Sequence, residues 1–451
     1  MSFLKKYKDI LFITVSTILY FLFAYFLERN SFNELLFLWV SLFICFYFLI
    51  KSNHINFSTL IGLSLLFRLI FLFAIPNLSQ DFYRFIWDGR MILEGLNPYL
   101  YVPETFIQQG LHPATETNAL YNGMGELNGS HYTNYPPLNQ LCFFIAALIA
   151  NKSIFGSVIL LRIITILADI GILYFGKKLL EQLNLPVKKI FLYILNPFII
   201  IEMTGNLHFE SVMLFFLVWS FYKLLQQKII WAGILFACAV SIKLIPLLFL
   251  PLFLKWFIYK NKSWRVGFKS LVIFYLTVII TNLLFFLPFY SSELITNYTN
   301  SVGLWFRNFE FNASIYYILR EIGYWFTGYN EIATIGKITP IFTILFLLFF
   351  TFFKKNINLK QLTTSMLFCL CFYYFTATTV HPWYIATPLI LSVFTRFKFP
   401  VVWSFVIILS YQAYANTPWQ ENLWFVALEY VILFGFLIYE LKNKDFKFLK
   451  I

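Results

Sequence analysis

Long runs of apolar residues, separated by short polar segments, dominate the chain. A helix that crosses about 30 Å of hydrocarbon needs roughly 20 such residues. The pattern therefore predicts an all-α polytopic membrane protein with roughly 12–14 transmembrane helices. The predicted spans lie near 9–27, 34–51, 58–76, 154–176, 189–204, 209–226, 229–244, 245–258, 268–290, 338–353, 362–379, 383–395, 399–415 and 421–441. The shorter run 138–150 is expected to be re-entrant or to lie flat at the interface.

Composition supports the membrane class. Of the 451 residues, 60% are hydrophobic and only 12% are charged, which is too little polar surface to cover a soluble protein. The formal net charge of +13 would suggest nucleic-acid binding in a soluble chain. In a membrane protein, enrichment of basic residues in cytoplasmic loops explains it, so no nucleic-acid partner is expected. The five cysteines all fall in apolar runs, as buried thiols do.

Basic residues also predict the orientation of the chain. Clusters of lysine and arginine lie near 5–8, 177–189, 255–269, 354–360 and 442–450. Alternating spans place all of them in the cytoplasm if both termini are cytoplasmic. Residues 1–451 are then expected to form one integral membrane domain. Segments 77–137 and 291–337 become its first and second extracytoplasmic loops, and both carry more acids than bases.

The membrane itself is expected to be a bacterial inner membrane. Phenylalanine, isoleucine, lysine and asparagine are abundant, which is typical of an AT-rich bacterial genome. The outer side would then be the periplasm.

Ionisable and aromatic side chains gather on this predicted outer side. Polar groups at membrane depth are costly, so a cluster of them indicates function. The stretches that carry them are "SQDFYRFIWDGRMILEGLNPYLY" (79–101), "HYTNYPPLNQ" (131–140), "LNPFIIIEMTGNLHFES" (195–211), "LWFRNFEFNAS" (304–314) and "TTVHPWYIATP" (378–388). The sequence "AVSIKLIPLLFLP" (239–251) adds one lysine at a predicted helix end. Convergence on one face is what an active site at the outer leaflet would produce.

Structural roles compete with functional ones for each of these groups. Asp81 could simply pair with Arg84 at a helix end. His208 and Glu210 would diverge within one helix, so they converge only at a loop or a helix start. Arg162 and Asp169 are expected to pair inside the helix bundle. No HExxH, CxxC or Gly-rich phosphate loop occurs, so zinc hydrolysis and nucleotide binding have no support.

The order of the quoted motifs resembles the glycosyltransferase-C superfamily, and its bacterial mannosyltransferase-like members in particular. The resemblance extends to about residue 260 and then includes the turn 381–385. It implies a membrane enzyme with short interfacial helices in its outer loops and an aspartate base in the first of them. Asp81 occupies that position. Asp88 follows seven residues later rather than in a tight Asp-x-Asp pair, which leaves open which of the two is the base.

This resemblance implies a reaction and a set of partners. The enzyme would transfer a hexose, expected to be mannose, from a polyprenyl-phosphate-linked donor to a hydroxyl of a lipid-linked glycan or glycolipid acceptor, with inversion. Membrane lipids would surround the site. No cofactor or metal is expected, although a divalent metal is left open. The candidate residues are Asp81 and Asp88 for catalysis; Arg84, Lys243, Arg307 and His381 for the donor phosphate; and Trp87, Tyr135, Asn206, His208 and Glu210 for sugar or acceptor.

Two other functions stay open from the sequence. A lipid-linked sugar transporter or flippase would have as many spans, but it would show repeat symmetry and ionisable groups near the membrane midplane. An O-antigen polymerase or ligase would depend on a large later loop, whereas here the densest motif comes early. The position of the motif favours the transferase.

Overall fold

The computed structural model describes residues 2–150, 152–260, 263–307 and 309–443, with the side chains of 2–6, 260 and 305–307 outside that description. Its α-helices are α1 (Ser2–Tyr25), α2 (Phe32–Lys51), α3 (Phe57–Ile70), α4 (Asp81–Leu93), α5 (Pro103–Gln108), α6 (Thr117–Gly129), α7 (Pro137–Ala150), α8 (Ile154–Gln182), α9 (Phe191–Ile194), α10 (Pro197–Ile199), α11 (Glu210–Leu225), α12 (Ile229–Val240), α13 (Phe253–Lys260), α14 (Trp264–Phe286), α15 (Leu294–Arg307), α16 (Ile315–Thr327), α17 (Ile332–Phe353), α18 (Leu359–Thr376), α19 (Ala386–Val393), α20 (Phe399–Val406) and α21 (Leu423–Asn443). Short 3₁₀ helices cover Val187–Ile190, Ile245–Leu252, Leu287–Phe289, Pro382–Ile385 and Ile407–Ala415, and a π-helix covers Ile200–Gly205.

The all-helical membrane architecture is confirmed, but the number of long spans is smaller than predicted. Within the described ranges, six helices are long and apolar enough to cross a membrane, or seven if one bent pair counts as a span. The six are Tyr7–Tyr25, Phe32–Lys51, Ile154–Gln182, Trp264–Phe289, Ile332–Phe353 and Leu423–Asn443. Several other predicted spans form apolar helices of 10–17 residues, because proline and polar residues interrupt them. The run 138–150 is one of these short helices, α7.

The bent pair lies where the sequence predicted two spans, 189–204 and 209–226. Between Pro197–Gly205 and Glu210–Leu225 the helix direction bends by 113°. A break exposes backbone carbonyls that water cannot reach inside a membrane. Arg162 on α8 supplies the missing donors, since its guanidinium hydrogen-bonds to the carbonyls of Thr204 (2.8 Å) and Gly205 (3.0 Å), and to those of Leu72 and Ala74 (3.1 and 2.6 Å). One buried arginine therefore holds the break in place.

A buried ion pair joins α3 to α8. Arg68 Nε lies 2.9 Å from Asp169 Oδ2, and both side chains are almost completely buried. Arg68 also donates to the carbonyl of Ile194 at 2.8 Å, next to the bent pair. Arg162 and Asp169, which we expected to pair in the bundle, thus each have partners there, but not each other.

Helix α4, which carries the densest motif, packs closely on α7. Gly89 makes this approach possible, because a Cβ at that position would lie 2.3 Å from the carbonyl oxygen of Phe143. Phe85 stacks on the Phe143 ring at 4.6 Å on the same face. The contacts of Phe85 and Gly89 with Phe143 therefore fix the position of α4 against α7.

A short non-helical segment, residues 309–313, packs against residues near the C-terminus. It forms an isolated parallel bridge between Phe311 and Thr379. The Asn312 amide N–H donates to Glu421 Oε1 at 2.7 Å, and its side chain donates to Glu429 Oε1 at 3.2 Å. The Tyr430 hydroxyl donates to the Asn312 carbonyl at 2.7 Å. Segment 309–313 is thus hydrogen-bonded to α21 and to the residues that precede α21.

Candidate active site

A cavity of about 540 Å³ collects side chains from distant parts of the chain. Three groups of lining residues matter most: those of segment 77–137, those at the ends of α11 and α12, and those that follow α18. They include Asp81, Asn128, Tyr135, Glu210, Lys243, His381, Trp383, Tyr384, Tyr414 and Trp419. Five of the eleven predicted site residues lie in this wall, namely Asp81, Tyr135, Glu210, Lys243 and His381.

Asp81 is the first residue of α4, and its side chain faces the cavity. The Ser79 hydroxyl accepts a hydrogen bond from the Asp81 amide at 3.3 Å, and the Asn128 side-chain amide donates to its carboxylate, also at 3.3 Å. Burial raises the pKa of Asp81, while the Lys243 charge, the Asn128 hydrogen bond and the Arg29 charge limit the rise. A carboxylate with a raised pKa is a stronger proton acceptor once ionised.

Asp88 and Arg84 lie away from the cavity, in a buried ion pair one helical turn apart. Arg84 Nε is 2.9 Å from Asp88 Oδ1, and Gln140 donates to Asp88 Oδ2 at 2.9 Å. Arg84 also donates to the carbonyls of Asn128 and His131. The pair thus fixes the backbone of the residue whose side chain contacts Asp81. Neither charge lines the cavity, so a direct role for Arg84 at the donor phosphate gains no support from the geometry.

Three predicted sugar-binding residues also lie outside the cavity wall. Trp87 is only 1% exposed and packs near Phe106 at 6.4 Å between ring centroids. Asn206 accepts a hydrogen bond from the Leu78 amide at 3.2 Å, just before the turn that carries Asp81. His208 is buried beneath a tryptophan. These side chains support the wall from behind.

Glu210 and Lys243 form the ion pair of the cavity. Glu210 begins α11, directly after the bend, and Lys243 follows the end of α12. Their side-chain atoms Oε1 and Nζ are 2.6 Å apart. The other carboxylate oxygen of Glu210 is buried and has no hydrogen-bond partner. That oxygen can accept a hydrogen bond from a hydroxyl of a bound molecule.

A stack of three rings reaches the wall, where two of its members, Trp383 and His381, line the cavity. The ring centroids of His208 and Trp383 are 3.8 Å apart, and those of Trp383 and His381 are 4.6 Å apart. Burial, assisted by the Lys243 charge, lowers the pKa of His381 to about 3. The lowered pKa favours the neutral imidazole of His381 at physiological pH, and a neutral imidazole can still hydrogen-bond to a bound molecule.

Arg307 is the last residue of α15, and its side chain lies outside the described residues. Among the side chains that the structure does describe, no group of three or more His, Cys, Asp or Glu could hold a metal ion.

Sequence reasoning missed part of the wall. Arg29, in the turn between α1 and α2, lines the cavity, as do Tyr414 and Trp419 near the C-terminus. One face of α17 also contributes, through Gly336, Thr339, Pro340 and Thr343. Their spacing of i, i+3, i+4 and i+7 is a small and polar stripe on an otherwise apolar helix, which the sequence could have revealed. Nothing local marked Arg29, because an arginine after an apolar run is ordinary.

The similarity to known proteins covers mainly the first half of the chain. Residues 27–260 match the model of the family described as "Alpha-(1->6)-mannopyranosyltransferase, N-terminal domain". A Mycobacterium tuberculosis protein named Alpha-(1->6)-mannopyranosyltransferase A is 22% identical over 215 residues, which cover 48% of this chain and 40% of the relative. The Corynebacterium glutamicum protein of the same name is 26% identical over 194 residues, covering 41% of this chain and 36% of the relative.

The chain thus spans less than half the length of these relatives. The matched range contains Asp81, Glu210 and Lys243, whereas His381 and Trp383 lie beyond it.

Proposed function

The chain belongs to the alpha-(1->6)-mannopyranosyltransferase family, and on this premise we propose that it transfers mannose from a polyprenyl-phosphate donor to a hydroxyl of a glycan or glycolipid. The carrying observation is the cavity, which brings a carboxylate with a raised pKa together with an ion pair and aromatic rings. The donor lipid cannot leave the bilayer, so the reaction requires such a site within a membrane protein. The many apolar helices meet that requirement.

Asp81 is the proposed general base. The acceptor hydroxyl must lose its proton as it attacks the anomeric carbon, and a carboxylate within hydrogen-bond distance can take it. One displacement with one base inverts the anomeric centre, so a β-linked donor gives an α-linked product. Asp88 is already bonded to Arg84 and Gln140, so we assign it a positioning role.

Departure of the lipid phosphate requires positive charge or hydrogen-bond donors where negative charge develops. Lys243 lines the cavity and can contribute, although Glu210 already binds its ammonium group. Neutral His381 can donate one hydrogen bond. The unpartnered oxygen of Glu210 is suited to a sugar hydroxyl, and Tyr135 offers a ring against which a sugar can pack.

For the membrane orientation, we propose that both termini are cytoplasmic and that the cavity faces the periplasm of a bacterial inner membrane. The distribution of basic residues supports this arrangement. Arg29, Asp81 and His381 line the same cavity, which fits three predicted outer segments meeting on one side.

The experiment uses full-length protein purified in detergent, radiolabelled polyprenyl-phosphate mannose and an extract of lipid-linked glycans from the host. Wild type should move label into a larger glycan. Asp81→Asn keeps the side-chain shape but removes the base, and should lower the rate about 10²- to 10⁴-fold. The matched control is Glu94→Gln, an exposed carboxylate at the far end of α4, which should keep the wild-type rate.

Two results would contradict the proposal. Wild type that binds a polyprenyl-phosphate sugar but transfers none would favour a transporter. Full activity in Asp81→Asn would exclude Asp81 as the base and would leave Glu210 as the remaining carboxylate of the described cavity wall.

A further inference from the structure

Arg29 is partly buried, and its surroundings differ from those of the other cations near the cavity. It lies in the turn between α1 and α2, and its guanidinium stacks 3.7 Å above the centre of the Tyr414 ring. Its Nε atom is buried without a hydrogen-bond partner. No carboxylate of the described residues lies within ion-pair distance of it. Arg29 therefore brings into the cavity wall a guanidinium that is not bound in an ion pair.

The other cations of this region already have partners. Lys243 Nζ contacts the Glu210 carboxylate at 2.6 Å, so the two charges largely cancel. Arg84 pairs with Asp88, and Arg68 pairs with Asp169. Arg162 is bonded to four backbone carbonyls. Asp81 and Arg29 are thus the two charged residues of the described cavity wall that are not in an ion pair.

We propose that Arg29 is the principal ligand of the donor's lipid phosphate, and that Lys243 serves mainly to hold Glu210. A guanidinium is always charged and presents a planar set of donors that matches phosphate oxygens. The ring of Tyr414 holds the guanidinium plane on one side, which fixes the direction of those donors. The inference rests on the proposed function, because it takes the donor to be a lipid phosphate.

The charge arrangement also suits the reaction. The acceptor hydroxyl would lie at Asp81 and the departing phosphate at Arg29, so the proton and the leaving group move to two different parts of the cavity. The bond between the anomeric carbon and the phosphate oxygen breaks, and its electron pair stays on the phosphate. Arg29 would stabilise that charge by contact.

A binding experiment tests this without turnover. Purified full-length protein is titrated with farnesyl phosphate, with farnesol and with dihexanoyl phosphatidic acid, and binding is followed by tryptophan fluorescence, since Trp383 and Trp419 line the cavity. Wild type should bind farnesyl phosphate about 10- to 100-fold more tightly than farnesol, the range expected for hydrogen bonds to a charged group. Phosphatidic acid should bind as weakly as farnesol.

Variants assign the effect to Arg29. Arg29→Gln should abolish the preference for farnesyl phosphate, and Arg29→Lys should retain part of it. Arg265→Gln is the matched control, because Arg265 is exposed beside Trp264 and lies outside the cavity wall. It should behave as wild type. If Arg29→Gln fails to fold, a several-fold weaker binding by Arg29→Lys still supports the proposal.

Each other outcome overturns the inference. A full preference in Arg29→Gln would exclude Arg29 as the phosphate ligand, and a full preference in Arg29→Lys would contradict the role proposed for its planar set of donors. Equal binding of phosphatidic acid that is lost in Arg29→Gln would make this a general phospholipid site. The sugar-transfer assay is separate, so a failure of the proposed function would be visible there and not in these titrations.

Discussion

Replacing Lys243 with methionine would leave the Glu210 carboxylate buried without its cation. The pair is close, at 2.6 Å, with Glu210 3% and Lys243 23% exposed. Removing one partner of a fully buried pair typically costs 3–5 kcal/mol. Because Lys243 keeps some contact with the cavity, we expect a loss of about 3 kcal/mol in the free energy of unfolding.

A double-mutant cycle isolates this effect. Glu210→Gln removes the unpaired charge, so the double variant should recover most of the loss, with a coupling energy of about 2 kcal/mol. The free energy of unfolding is measured by titrating the purified protein with sodium dodecyl sulfate in mixed micelles and following circular dichroism.

The control pair is Lys177 and Glu181 on α8. Its atoms are 3.4 Å apart, and both side chains are about half exposed. An exposed pair at this spacing should couple by only about 0.3–0.5 kcal/mol. A Lys243–Glu210 coupling as small as this would refute the reasoning, because it would mean that water in the cavity screens the pair as it does at a surface.

Three further predictions concern α4 and the base. Gly89→Ala should disrupt the contact between α4 and α7, and should lower both the melting temperature and the transfer rate. The control is Gly62→Ala, where no atom lies near the added Cβ, and it should keep the wild-type melting temperature and rate. Asp88→Asn should lower kcat with little change in the donor KM, if it only positions the base; a matching rise in KM would argue for substrate contact. The transfer rate should fall at acidic pH, because Asp81 must be ionised to act. The midpoint of this fall should lie above about 3.9, the ordinary aspartate pKa, since burial raises the pKa of Asp81. Since the Lys243 charge lowers that pKa, Lys243→Met should move the acid limb of kcat/KM to higher pH, and an unmoved limb would contradict the assignment.

The sequence predicted which segments form apolar helices, because only such segments can be buried among lipids and other helices. The predicted span 209–226 closely matches the second arm of the bent pair, Glu210–Leu225, whereas the first arm begins at Pro197, inside the predicted span 189–204. The sequence did not predict the bend itself. It depends on Arg162, which comes from α8, more than 30 residues earlier in the chain.

The candidate site was predicted in part. Asp81 and Asp88 are seven residues apart, so helical geometry places them on the same face and about 10 Å apart along the axis. Sequence alone could not tell which one meets the cavity. Arg29 could not be found at all, because its proximity to Tyr414 depends on the packing of α2 against the C-terminal helices, shown by the 2.8 Å hydrogen bond from Trp39 to the Phe405 carbonyl.

The structure of the bend depends on a single side chain, the guanidinium of Arg162. Four carbonyls from two separate segments depend on one side chain, and in hydrocarbon each would cost several kcal/mol if left alone. Lysine keeps the charge, but its three donors radiate from a single atom and cannot serve four acceptors arranged around a planar fork. A change at position 162 would release the end of the first arm and segment 72–74 at once, and with them the turn that leads to Glu210.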